Sequence, residues 1–347
     1  MRVYFFCRSP GPPENAGYEH GLVALAEGLR ELGIAIAGNR NYWPLDGGWL
    51  IPETSEAPEA FDIVLISSES RSRDGDLPDA YIQARGPRRV YLDQADGWRT
   101  DASSAASWPA DVVLRTHYNQ HFRYPRRVVP WAFGLTSRMV TACGDGIAPR
   151  NRSPSVLCNF RVGHPVRDRL TAAFRVQFSG RWTWDDRIDT QAPGGQEDLR
   201  WWELTGRRHN PAYYGRLKSS QGCLAFGGFF APGWSNAPTS LAGRLGYRLI
   251  QTWDRRTSTL TQFDSWRFWE SLAADTVTIH GPLGAWGAQL PVMPEEGQHY
   301  VAYEPGIADR QVLDSWNSCL AGSGSRIWAL KHYAPRPTAE RLLEILS

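Results

Sequence analysis

The sequence predicts an α/β protein built from two doubly wound, parallel-sheet domains that face each other across a cleft. Three observations carry this. Short β-branched, apolar runs alternate with stretches whose apolar residues recur at helical spacing. A polar stretch bearing Gly and Pro, TACGDGIAPRNRSPS (141–155), interrupts that rhythm, and the rhythm then restarts. A chain of 347 residues is long for one domain and comfortable for two, so a sizeable core forms without staples.

In chain order, MRVYFF is a strand, PGPPENAGYEH a loop, and GLVALAEGLRELG a helix with Leu22, Leu25, Ala26, Leu29 and Leu32 on one stripe and Gly33 as its stop. FDIVLISS, RRVYLDQ, DVVLRT and RRVVPWAF follow as strands, several apolar throughout, as strands buried on both faces are. After the interruption come SVLCNF (strand), HPVRDRLTAAF (helix), NPAYYGRLKSS (helix), QGCLAFGG (strand), DSWRFWESLAA (helix), TVTIH (strand) and HYVAYEP (strand). Two helical stretches close the chain, the last being PTAERLLEILS. The expected units are residues 1–145, residues 150–325, and a C-terminal helix from 326 to 347 that packs back on the first domain.

Charged residues are 21% of the chain and the formal net charge is +2, which gives no strong field for collecting nucleic acid or anionic membrane. Five widely spaced cysteines without a CxxC pair disfavour a disulfide framework and a thiolate zinc site. The first apolar run ends too soon for a signal peptide, and nothing approaches the roughly 18 apolar residues of a membrane span. A soluble protein of the reducing cytoplasm is expected. No P-loop and no GxGxxG occurs, which disfavours a kinase, an ATPase or a typical NAD enzyme. His117 and His121 have the i,i+4 spacing of a helical metal pair, but no third ligand accompanies them, so no metal is expected. The sixteen tryptophans are core filler and cation–π partners, with some left to line a groove for sugars or bases.

Three stretches resemble the two-Rossmann-domain, GT-B type of glycosyltransferase, nearest to bacterial spore-maturation-like proteins. They are YEHGLVALAEGLRELGI (18–34), SWRFWESLAADTVTIH (265–280) and IWALKHYAPRPTAERLLEIL (327–346). The resemblance implies metal-independent transfer of a sugar from a nucleotide-sugar donor, UDP- or GDP-linked, held mainly by the second domain, to a hydroxyl acceptor: a glycan, a lipid or a small molecule. In the large retaining family the donor segment carries two glutamates eight positions apart. The second matches Glu270, while Gln262 stands at the first, and Asp275 stands where Gly is usual.

Asp264 or Ser265 can cap the helix that carries Arg267 and Glu270, making its N-terminus a seat for phosphate. Glu270 is then about 7.5 Å along the axis, roughly the span from diphosphate to ribose hydroxyls. Glu270 is expected on the ribose, and Arg267 on a phosphate or on Glu270 itself; the same two residues are also an ordinary i,i+3 surface pair. Asn159, Arg161, His164 and Arg167 fall at the end of the second domain's first strand, with Arg161 the leading diphosphate partner. Gly227 and Gly228 would let the donor approach backbone, and Tyr214, which stands with Tyr213, Arg208 and His209 at a nearby helix start, is expected as a donor-binding residue.

Acceptor-side chemistry needs a proton acceptor or a stabiliser of positive charge. Glu19 and His20 after the first strand, and Asp93 and Asp96 in YLDQADGW, are the candidates, with a D-G turn the competing role for Asp96. Two other readings stand beside this one. A hydroxylated base in DNA would suit the doublets Arg88-Arg89, Arg126-Arg127, Arg207-Arg208 and Arg255-Arg256. A non-catalytic carbohydrate- or nucleic-acid-binding protein of the same fold would suit Gln262.

Overall fold

The computed structural model describes residues 1–9, 17–70, 77–95, 109–144, 146–159, 164–229, 259–322 and 324–347. Asp96 and Arg161 lie outside the described residues. The chain begins β1 (Arg2–Phe6), α1 (His20–Glu31), β2 (Ala35–Gly38), β3 (Tyr42–Leu45), β4 (Gly48–Ile51), β5 (Ile63–Ser67), α2 (Asp79–Gln83), β6 (Arg88–Asp93), β7 (Val112–Arg115) and β8 (Val128–Pro130). It continues with α3 (Ser137–Ala142), β9 (Ser153–Leu157), α4 (Pro165–Gln177), β10 (Thr183–Asp185), α5 (Gln196–Leu204), α6 (Pro211–Ser219) and β11 (Ser220–Leu224). Then come α7 (Trp266–Ala273), β12 (Val277–His280), β13 (Val301–Ala302), α8 (Asp309–Ala321), α9 (Gly324–Tyr333) and α10 (Pro335–Leu346).

Two parallel sheets result. The first has the order β2-β1-β5-β6-β7-β8 and the second β10-β9-β11-β12-β13. The apolar run of β5 is buried at every position, as a strand covered on both faces requires. α1 ends as its sequence demands: Gly33 takes φ 73° and donates to the Arg30 carbonyl, while Ile34 N–H closes on Leu29. In each sheet the strand order reverses once, between β1 and β5 in the first and between β9 and β11 in the second. Crevices at the carboxyl ends of such reversals are where open α/β sheets take ligands.

Packing divides the chain at other points than its composition does. Trp131 sits in the core under the first sheet, whereas Ala132, Leu135, Met139 of α3 and Cys143 belong to the core of the second. The crossover therefore precedes the polar stretch at 141–155, because apolar α3 residues need a core and the polar stretch does not. Among the described residues, three helices rather than two follow β13. α9 packs with α7, and α10 returns to α1, burying Ala339 and Leu342 with the first-sheet core. Gly28 makes this return possible: a Cβ there would lie 2.0 Å from the Pro335 carbonyl oxygen. The antiparallel hairpin of β3 and β4 carries Trp43 at φ 59°, stacked on Trp201 of α5, whose centroid is 5.2 Å away.

Candidate active site

At the β9/β11 reversal, two helix N-termini and a pair of glycines converge. α4 starts after His164 and α7 after Ser265, whose hydroxyl accepts the Phe268 N–H at 3.4 Å, so Ser265 and not Asp264 is the cap. Gly228 ties both to β11: its carbonyl accepts Val166 N–H at 3.2 Å and its N–H donates to the Gln262 carbonyl at 2.7 Å. The expected role of the glycines changes accordingly. A Cβ at Gly227 would lie 2.5 Å from the Gln262 carbonyl oxygen and one at Gly228 1.9 Å from Gln262 Oε1, so the pair seats the Gln262 segment against the strand. His164 Nδ1 is 3.1 Å from the Gly228 Cβ position, and the Arg267 Nε–H donates to the carbonyl of Asn159. Asn159, Gly228, Ser265 and Arg267 are thus brought together at one edge, with partly positive helix ends aimed at it.

Glu270 is placed differently from the surface pair its spacing allows. It is 3% exposed, and its two carboxylate oxygens accept the hydroxyls of Tyr213 (2.9 Å) and Tyr214 (2.8 Å) from α6. Tyr214 also accepts from Arg138 of α3 at 3.1 Å. Arg138 donates to His209 Nδ1 at 2.8 Å, and His209 Nε2 faces Asp198 at 3.1 Å. On its other side Arg138 lies beside the Tyr18 hydroxyl. Tyr18 in turn meets His20 Nδ1 at 3.0 Å. A buried polar chain therefore runs from α1 to α7.

The segment carrying Gln262 is held from the first sheet as well. Asn119, past the end of β7, donates to the carbonyls of Leu260 and Trp286, both at 2.8 Å. Asp264 accepts Phe133 N–H at 2.5 Å and the Trp269 indole N–H, and its own N–H reaches His117 Nδ1 at 3.4 Å. Burial pushes the Asp264 carboxyl up to about 7, against these hydrogen bonds. His121 turns instead to Thr259 Oγ1 at 2.9 Å, so His117 and His121 diverge.

No family model and no curated protein matches this sequence. Among solved structures, the chain is similar to AviGT4, a glycosyltransferase involved in avilamycin A biosynthesis, with TM-score 0.54, 14% identity, and 99% of this chain and 96% of that one covered. It is also similar to an alpha-glucosyltransferase in complex with UDP and a 13-mer DNA containing an HMU base, with TM-score 0.53, 11% identity, and 100% and 99% covered. The fold is the GT-B glycosyltransferase fold.

In a GT-B fold the first sheet presents its own carboxyl edge, and here that edge is strongly polar. The Glu19 carboxylate accepts Arg8 N–H at 2.9 Å and the hydroxyls of Ser67 and Ser70. Burial raises it to about 7 despite those donors. His20 is fully engaged, with Nε2 3.1 Å from the Gly134 carbonyl and its ring tilted over Trp266 at 5.1 Å; burial lowers it to about 3, so the imidazole is neutral. Asp93 pairs with Arg115 at 2.9 Å, both buried. His20 thus reaches the α7 side of the molecule, while Asp93 belongs to the β6/β7 edge.

Several residues of this candidate site carry no local sequence signal. Arg138, Asn119 and the two serines act through partners 48 to 167 positions away, as with Ser67 on Glu19 and Asn119 on Trp286. Tyr214 was legible as a donor-side residue at a helix start, but neither tyrosine was legible as a partner of Glu270.

Proposed function

We propose that this protein is a glycosyltransferase that takes a sugar from a nucleotide-sugar donor, UDP- or GDP-linked, to a hydroxyl acceptor. The observation that carries the reading is the convergence of the α4 and α7 N-termini at the β9/β11 reversal, within a GT-B fold. A diphosphate there meets helix N–H groups and the region of Asn159, Ser265, Gly228 and Arg267; Arg161 is kept as a diphosphate partner on sequence grounds alone. Glu270 is the ribose ligand in this account. A carboxylate offers about four lone-pair sites, and the two tyrosine hydroxyls use two, fixing its orientation and leaving two for a diol. Tyr214 is then a positioning residue for Glu270 rather than a donor contact.

On the acceptor side, the neutral, doubly bonded His20 is a weak base, so its proposed part is to hold α1 against Trp266. Asp93 and Asp96 remain the proposed proton-handling residues, with Glu19 as a carboxyl whose ionisation falls near neutrality. The test is a screen of UDP- and GDP-sugars for release of the nucleoside diphosphate. Turnover of one donor supports transfer chemistry, and no turnover of any donor favours the non-catalytic binding reading.

A second reading, in which the acceptor is a hydroxylated base in DNA, draws support from the likeness to the DNA-bound alpha-glucosyltransferase. The formal net charge of +2 opposes it. Salt-sensitive retention on a column of duplex containing hydroxymethylated bases supports the DNA acceptor, and elution with the void volume excludes it.

A further inference from the structure

Gln94, the residue after β6, is 4% exposed, and neither its Oε1 nor its Nε2 has a hydrogen-bond partner. Its backbone is fixed, with the N–H donating to Ser68 Oγ at 3.0 Å. Its carboxamide lies over the first turn of α1, where a Cβ at Gly21 would be 2.7 Å from Nε2. That turn is itself uncapped, because Glu19 at the N-cap makes no side-chain bond to it and turns to Arg8, Ser67 and Ser70. One residue earlier, Asp93 Oδ2 is also buried without a partner. Leaving both ends of a buried amide unbonded costs stability, so such a group calls for a partner, and a ligand is one that completes it.

We propose that Gln94 and the first turn of α1 form a subsite that reads a pair of hydroxyls on a neutral, sugar-like acceptor. This rests on the glycosyl-transfer reading for the word acceptor, but not for the binding itself. A carboxamide presents an acceptor oxygen and an NH2 donor in one plane, and the first-turn N–H groups add donors. A diol complements all of these. A phosphate would meet the Gln94 Oε1 lone pairs, and the neighbouring Arg115 is already paired with Asp93. Gly21 belongs to the subsite because any side chain there displaces the carboxamide.

The probe is methyl β-D-glucopyranoside, titrated into wild type and Gln94→Leu while the side-chain amide resonances and the saturation-transfer signal of the sugar are followed by NMR. The expected result is a shift of the Gln94 amide pair in wild type, binding at least tenfold weaker in the variant, and a thermal midpoint equal to or above that of wild type. Absence of binding to wild type, equal binding by both proteins, or an unfolding midpoint several degrees lower in the variant overturns the proposal, since the last outcome marks Gln94 as structural. Nucleotide-sugar hydrolysis is measured alongside: its absence in wild type sinks the transferase reading while the sugar titration still decides this one.

Discussion

Asp275 stands where the resemblance led us to expect Gly, and the backbone shows why Gly would suit: φ is 53°, with Asp275 N–H closing on Leu272 and Thr276 N–H on Ser271. The turn keeps its left-handed form, and Asp is among the few non-Gly residues that tolerate it. Asp275→Ala is expected to be less stable than Asp275→Gly by about 1 kcal/mol in urea unfolding, since both lose the carboxylate and only Ala strains the turn. Equal stability would mean the turn relaxes.

Titration at Asp264 gives a second test at this scale. Its carboxyl is raised to about 7, so its contribution is fully present below about pH 4 and is lost as pH rises through 7. Wild-type stability should therefore fall more steeply over that window than that of Asp264→Asn. His20, lowered to about 3, contributes with the opposite slope, lost as pH falls below about 6.5, but equally in both proteins. Parallel pH profiles would contradict the raised carboxyl of buried Asp264. At single residues the sequence was legible where chemistry is local: a cap at Asp264 or Ser265, which the structure narrows to Ser265, and Gly33 as a stop follow from short-range rules. The lock on Glu270 was not, because its tyrosines lie 57 and 56 positions away.

Among elements, the central strands and their helices were readable because apolar runs and helical stripes are one-dimensional signals. β2, the β3/β4 hairpin, β10 and α5 were not: edge strands and half-exposed helices lack a continuous apolar pattern, as the exposed, half-buried run of β2 illustrates. The return of α10 onto α1 depends on the close approach at Gly28. Gly28→Ala should force the helices apart and cost about 1–3 kcal/mol in denaturant unfolding. A neutral effect would show that α10 adjusts freely.

For the molecule as a whole, the two sheets are joined at the candidate site by Asn119, Asp264 and the polar chain from His20 to Glu270. Asn119→Ala takes a donor from the Leu260 carbonyl and one of two from the Trp286 carbonyl, which keeps Leu260 N–H, at about 1–3 kcal/mol, and loosens the Gln262 segment between the sheets. Weaker nucleotide binding should accompany the lost stability; a stability loss with unchanged binding would separate this clamp from the site. The sequence showed two βα units, but where the chain changes cores could not be read from it, since α3 looks like a surface helix until its partner core is known.

The most direct measurement is calorimetric titration of UDP and GDP into wild type and Glu270→Gln. The amide retains both tyrosine contacts by accepting from one and donating to the other, so the fold should survive with a midpoint within a few degrees. The account predicts that wild type binds at least one of the two nucleotides and that the variant binds it at least tenfold more weakly, about 1.4 kcal/mol. No binding by wild type, or equal affinity in both proteins, would contradict it.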